Sequence, residues 1–389
     1  MWLGIEAESN VRMASCLWLV CTLVAIIGSL YALFAGVLVA RFRRQEMPDL
    51  REVENVTLLK PLCGAEPALE SNLASFCVQN YPGKRQIVLG VQDAHDPAVA
   101  AVDNLRARFS ESEIDLALTT RSLGRNPKIS NLAGMYDHAA YDVLILSDSD
   151  MLVRDDYVRN VMAALQQPEV GLVTCLYRGR SNGGFWARLG AAGVDQHFLP
   201  SVLVGQFLGL AKPCFGSTIA LRRETLERIG GFPAFADVLA DDYAMGDAVR
   251  RLGLKVSIPP FTIGHTFSED SFGKLVAHEL RWARTIRLVD PIGYAASIVT
   301  HPLPFALAAA AVSGFGLITG GILAATLASR LFVPIQVERL SGGDRGTLWL
   351  SPLRDLLSFA IFLASFAPGA VSWRGRRYRV NPDGSVTPV

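Results

Sequence analysis

Two carboxylates one residue apart, Asp148 and Asp150, close the run "DVLILSDSD". Apolar residues Val143 to Leu146 lead into them, which is the pattern of a buried strand that delivers acids to the edge of a sheet. Hard oxygen donors in such a place suit Mg2+ or Mn2+, which keeps several waters and bridges substrate phosphates. The pair reads as a divalent-metal clamp for a nucleotide diphosphate. If the strand continues through them, both side chains face the same way. A solvated turn with helix-capping aspartates shows the same letters.

Other residues could share this chemistry. Asp93 and Asp96 follow a second β-rich run, "RQIVLGVQD". "ADVLADDYAMGDAV" places Asp241 and Asp242 just before a helical pattern. One carboxylate aimed at an acceptor hydroxyl is what a general base requires, while acids at a helix start also answer the macrodipole. In "GRNPKISNL", Lys128 and Asn131 follow a turn-like Gly-Arg-Asn-Pro and suit phosphate or base contacts. Arg281 in "HELRWARTIR" could neutralise a departing diphosphate, although the stretch also reads as an interfacial anchor.

Residues about 45 to 300 alternate strand-like and helix-like segments. The strand-like runs are 55–62, 85–93, 142–150 and 169–177, with helical patterns such as "PALESNLASFCVQ" between them. That alternation predicts an α/β domain with a mostly parallel sheet, whose ligands lie beyond the carboxyl ends of the strands. Both strand-end acidic clusters fall there. The sequence contains neither a GxGxxG nor a Walker loop.

The chain has 389 residues, is 50% hydrophobic and has a mean hydropathy of +0.29, with most charges between Arg41 and Asp290. A soluble body with apolar ends follows. The net charge of +1 gives no reason to expect nucleic acid. Six cysteines without metal spacing read as reduced thiols. Residues 1–12 precede an uncharged run over 13–40, long enough to span a bilayer and too long for a signal peptide. Two further apolar runs cover 303–328 and 353–372, with 329–352 between them as an extracytoplasmic loop. Arg41, Arg43 and Arg44 after the first run, and Arg374, Arg376, Arg377 and Arg379 in the tail 373–389, place the body and the tail in the cytoplasm. The expected location is the inner (cytoplasmic) membrane, crossed several times.

Taken in order, Asp93/Asp96, Asp148-Ser-Asp150, Asp242 and His278-x-x-Arg281-Trp282 resemble the D, D, D, (Q/R)xxRW pattern of family 2 and family 21 glycosyltransferases. "LLKPLCGAEP", "VQDAHDP", "NPKISNL", "ADDY" and "ELRW" are similar to blocks of the ceramide glucosyltransferase family. "TCLYRGR", "HELRWARTIR" and "THPLP" look most like its bacterial hopanoid-biosynthesis branch. The resemblance runs from about Val56 to Arg287. It implies a GT-A fold, a UDP-sugar donor, a membrane-lipid acceptor and inversion at the anomeric carbon.

By the same resemblance, Asp93 and Asp96 hold the uridine. Asp148 and Asp150 bind the metal and the diphosphate, and Asp242 is the base. Arg281 and Trp282 close over diphosphate and acceptor, His197 lies near the metal and diphosphate, and Cys214 is close to the site. His278 departs from the Gln or Arg of the pattern. The implied reaction moves N-acetylglucosamine to a bacteriohopanetetrol-type hopanoid, or glucose to ceramide. A non-catalytic membrane scaffold and a polymerising synthase are the rival readings. The intact acids and Arg281 argue against the first, and the small number of spans against the second.

Overall fold

The computed structural model describes residues 2–340, 345–367, 371–373, 376–380 and 386–388. The chain divides into two compact units. One comprises Met1–Arg44, Ala192–Leu210 and Val276–Pro368; the other comprises Gln45–Ala191, Ala211–Leu275 and Gly369–Val389. The predicted body of 45–300 is therefore both interrupted and shorter. Residues 192–210 leave it because the Leu199–Phe207 helix packs on the first apolar helix, with Tyr31 donating to Ser201 Oγ at 3.1 Å and the Phe34 and Phe207 rings edge to face at 5.5 Å.

The second unit is an α/β domain. Its strands are β1 (Val56–Pro61), β2 (Arg85–Val91), β3 (Glu113–Leu118), β4 (Val143–Leu146), β5 (Met151–Leu152), β6 (Val170–Val173), β7 (Leu176–Ser181), β8 (Ile219–Arg222), β9 (Lys255–Ser257) and β10 (Thr262–Phe267). The main sheet has the order β3-β2-β1-β4-β8-β6-β9. β1 to β4 are mutually parallel, β8 runs antiparallel to β4 and β6, and β9 is parallel to β6. A small sheet β5-β10-β7 stands beside it.

The apolar runs of β1, β2 and β4 are unbroken because helices cover both faces of the sheet. Leu58, Val143 and Ile145 enter one hydrophobic cluster, and their neighbours Leu59, Leu144 and Leu146 enter the other. Three last strands, Val371–Trp373, Arg376–Val380 and Val386–Pro388, form an antiparallel sheet where a tail was expected. Arg374 lies outside the described residues.

The first unit is helical. Among the described residues, three helical segments are long and apolar enough to cross a membrane: Arg12–Arg43, Leu317–Glu338 and Thr347–Ser365. A fourth candidate is the pair Pro291–Thr300 and Pro302–Val312, bent by 54°. The predicted single helix over 303–328 is instead two, Pro302–Val312 and Leu317–Glu338. Gly314 (φ 67°) and Phe315 (φ 59°) take left-handed backbone and end the first. The expected loop 329–352 is also corrected, since its first ten residues continue the Leu317–Glu338 helix. The last helix, Ser351–Ser365, stops short of 372. All six cysteines are free thiols.

Candidate active site

β4 ends at Leu146, so the expected continuation of the strand through the acids does not occur. Residues 147–150 turn before β5, and the two carboxylates are drawn to different partners. Asp148 Oδ1 lies 2.7 Å from Lys128 Nζ, and Asp150 Oδ2 lies 2.9 Å from His265 Nε2 on β10. Both acids keep about a third of their side-chain surface, 35% and 30%. Burial and the charge of Asp150 raise the Asp148 carboxyl above its ordinary range, against the pull of Lys128.

Lys128 rides on the Pro127–Tyr136 helix, which starts with Asn126 as N-cap and Pro127 in its first turn. Asn126 Oδ1 accepts from the Lys128 and Ile129 amides at 2.9 and 3.1 Å, and Asn126 Nδ2 donates to Asp241 Oδ1 at 3.2 Å. The Lys128 ammonium also stands 3.6 Å from Asp241 Oδ2. Burial works against its charge, but Asp148, Asp241 and Asp242 outweigh that and hold it protonated.

Asp241 and Asp242 open the Asp241–Arg251 helix and have different surroundings. Asp241 is 5% exposed and is tied to Asn126 and Lys128. Asp242 is half-buried and accepts from the amides of Gly216 at 2.9 Å and Tyr243 at 2.8 Å. Burial first, and then the neighbouring Asp241 charge, push its carboxyl up to about 6. That value suits a base that must take a proton near neutral pH.

Gly216 connects the two halves of the site. Its amide reaches Asp242, and its carbonyl accepts from the Asp148 amide at 3.1 Å. A Cβ on Gly216 would stand 2.6 Å from Asp148 Oδ2 and 2.7 Å from Lys128 Nζ, so only glycine lets the loop pack this closely against the ion pair. The loop around it is held by Thr174, whose hydroxyl accepts from the Phe215 amide at 2.9 Å and donates to the Phe215 carbonyl at 3.2 Å.

Other expected residues are placed differently. Asp93 and Asp96 follow β2, but their carboxylates serve the turn: Asp93 Oδ1 accepts from the His95 amide, and Asp96 Oδ1 from the Gly64 and Ala98 amides, at 2.8–2.9 Å. Asn131 is fully buried. Its amide accepts from Thr119 Oγ1 at 2.7 Å and donates to the Gly90 carbonyl at 2.9 Å, so it staples strands rather than presenting itself to phosphate. Cys214 is 4% exposed against the Asp241–Arg251 helix, and burial followed by the Asp242 charge raises its thiol. His197, Arg281 and Trp282 belong to the helical unit. There His197 Nε2 lies 2.9 Å from Asp355 Oδ1 and 2.9 Å from Arg330 Nη2, so that nitrogen is already engaged. Trp282 meets the His278 ring edge-on at 4.4 Å.

Sequence reasoning missed three contributors. Asn126 was signalled by its Asn-Pro pair. His265 is 3% exposed in an alternating strand that carries no motif, and burial opposes its protonation while Asp150, Asp148 and Glu269 together outweigh it. Lys60, fully buried at the end of β1, donates to the Asp148 carbonyl at 2.7 Å and to Ser147 Oγ at 3.2 Å, and lies 3.5 Å from the centre of the Phe76 ring. Burial brings its amine down to about 7 against the pull of Asp150 and Asp148.

Among the described residues, no group of three His, Cys, Asp or Glu side chains is arranged to hold a metal. Asp148 and Asp150, each partly exposed, fit an ion that draws its remaining ligands from water and a diphosphate.

A mostly parallel sheet with a general-base candidate and paired acids at its strand ends is the arrangement of GT-A glycosyltransferases, and this chain is a glycosyltransferase. The fold is shared with the mannosyltransferase PcManGT from Pyrobaculum calidifontis, solved with GDP-Man and Mn2+. The two are 22% identical with a TM-score of 0.51, over 87% of this chain and 99% of that one. The family model for glycosyl transferase family 21 matches residues 19–386, and the chain belongs to that family. Ceramide glucosyltransferase 1 of Caenorhabditis elegans is 22% identical over 98% of this chain and 82% of its own length. Ceramide glucosyltransferase of Candida albicans is 33% identical over 31% of this chain and 24% of its own length.

Proposed function

We propose that the enzyme transfers a sugar from a UDP-sugar to the primary hydroxyl of an amphipathic membrane lipid, with inversion. The observation that carries this reading is the Gly216 bridge, which puts Asp242 and Asp148 one hydrogen bond each from the same residue. In one in-line displacement, Asp242 takes the hydroxyl proton and the hydroxyl oxygen bonds to the anomeric carbon. The bond from that carbon to the diphosphate breaks, and UDP departs. Lys128, protonated beside Asp148, offers positive charge to the leaving diphosphate. Asp148 and Asp150 would hold Mg2+ or Mn2+, which supplies further charge neutralisation there. The motif order assigns Arg281 and Trp282 to the same end of the reaction.

UDP-glucose and ceramide are the substrate pair supported by the relatives' names. UDP-N-acetylglucosamine and a bacteriohopanetetrol-type lipid form a second reading, favoured by the blocks "TCLYRGR", "HELRWARTIR" and "THPLP". Purified enzyme given each labelled donor with each lipid, followed by mass analysis of the product, separates them. If no donor and lipid pair yields glycolipid, the proposed reaction is wrong.

Two further expectations arise here. The acid limb of kcat/KM should fall as pH drops through about 6, because Asp242 must be unprotonated to act. Asp241→Asn removes the negative charge that helps raise that value, so the limb should move to lower pH; an unmoved limb would separate Asp242 from it. We also propose that the body faces the cytoplasm of the inner membrane, as Arg41, Arg43 and Arg44 suggest. A cysteine introduced at Gly183 should resist an impermeant thiol reagent in intact cells, and rapid labelling would reverse the orientation.

A further inference from the structure

Arg354 and Asp355 are consecutive in the Ser351–Ser365 helix and are buried, at 3% and 0% exposure. Each meets an opposite charge on a different element of the helical unit. Asp355 accepts from Arg330 Nε, with 2.9 and 2.7 Å to its two oxygens, and faces His197. Arg354 grips Glu279 with two parallel bonds, Nη1 to Oε1 at 2.6 Å and Nη2 to Oε2 at 2.5 Å. Its Nε and Nη2 also donate to Ser358 Oγ at 3.0 and 2.9 Å. Gly193 leaves room for the guanidinium, since a Cβ there would come within 2.9 Å of Arg354 Cζ.

Glu279 sits inside the "HELRW" segment, between His278 and Arg281, on the Phe272–Val289 helix. A planar fork on a carboxylate fixes direction as well as distance. With about 100° per helical residue, pinning Glu279 turns Arg281 about 200° away, to nearly the opposite face, and leaves Trp282 on its flank. A buried ion pair gives little net stability over apolar packing, so what this one supplies is geometry.

We propose that Arg354 and Glu279 form a positioning latch. Through it, the last apolar helix sets the rotation of the helix that carries Arg281 and Trp282. The latch rests on the reading that Arg281 serves the transfer reaction. It involves no contact of Arg354 or Glu279 with substrate.

The test uses full-length enzyme carrying Glu279→Gln with Arg354→Gln, and separately Arg354→Lys, each with and without Arg281→Ala. The neutral pair leaves no buried charge uncompensated, so its Tm should stay near that of the parent. Its kcat should nevertheless fall by about 100-fold, the scale of a small misplacement of a reacting group. Arg354→Lys keeps the charge but not the fork and should lose turnover likewise. Arg281→Ala on either background should cost less than about threefold more, because the latch acts through that side chain. Recovery of kcat with Tm in the neutral pair, full turnover in Arg354→Lys, or losses that multiply with Arg281→Ala would each overturn the latch. If Arg281→Ala alone turns over normally, the role given to Arg281 falls and the latch with it. That pattern is distinct from a dead Arg281→Ala beside active latch variants.

Discussion

Asp242→Asn should abolish sugar transfer, by about 10²–10⁴-fold in kcat, while UDP affinity stays nearly unchanged. The substitution is close to isosteric and keeps one of the two oxygens that now accept from the Gly216 and Tyr243 amides, so the side chain should hold its place with the loss of one hydrogen bond. What disappears is the carboxylate whose proton affinity lies near neutrality. Asp241 is the control on the same helical turn. It is buried and bound to Asn126 and Lys128, so it has no free approach to a hydroxyl. Asp241→Asn should keep substantial turnover at pH above the limb. Initial rates and UDP titrations of the two purified variants decide the assignment. A dead Asp241→Asn beside an active Asp242→Asn would show that the base is the other carboxylate.

Removal of divalent ions should have an effect of similar size. Excess EDTA should stop transfer, and Mg2+ or Mn2+ should restore it, because Asp148 and Asp150 offer hard oxygens at partly exposed positions. Asp148→Asn should weaken metal-dependent UDP binding as well as turnover, in contrast to Asp242→Asn. The Lys128 partner sharpens the comparison. Loss of the Asp148 charge leaves that ammonium with Asp241 and Asp242 as its nearest counter-charges, which keeps it protonated and the helix start intact. Full activity in chelator would leave charge neutralisation to Lys128 and other side chains and remove the metal from the mechanism.

Much of the catalytic unit was legible in the amino-acid order. β1, β2 and β4 announced themselves as unbroken apolar runs, because burial on both faces of a sheet demands apolar residues at every position. The positions of Asp148 and Asp150 directly after a strand, and of Asp241 and Asp242 at a helix start, are also legible in the sequence. The helix boundaries of the membrane unit were less legible. Ala- and Gly-rich apolar sequence carries no periodic signal when lipid and protein faces are equally greasy, so the break at Gly314 and Phe315 passed unseen.

By itself, the sequence determined the class of fold, the apolar ends and the order of the acidic motifs, since local pattern and hydrophobicity depend on neighbours along the chain. Tertiary structure alone decided which partner each acid has. Asp148 goes to Lys128 and Asp150 to His265, although the two acids are one residue apart. It also separated Asp242 from Asp241, withdrew Asn131 into the core, and brought Gly216 between Asp242 and Asp148. Each outcome depends on a contact between residues far apart in sequence. The electrostatics of a buried carboxylate are set by the charges that folding brings within a few ångströms, and no local pattern encodes them.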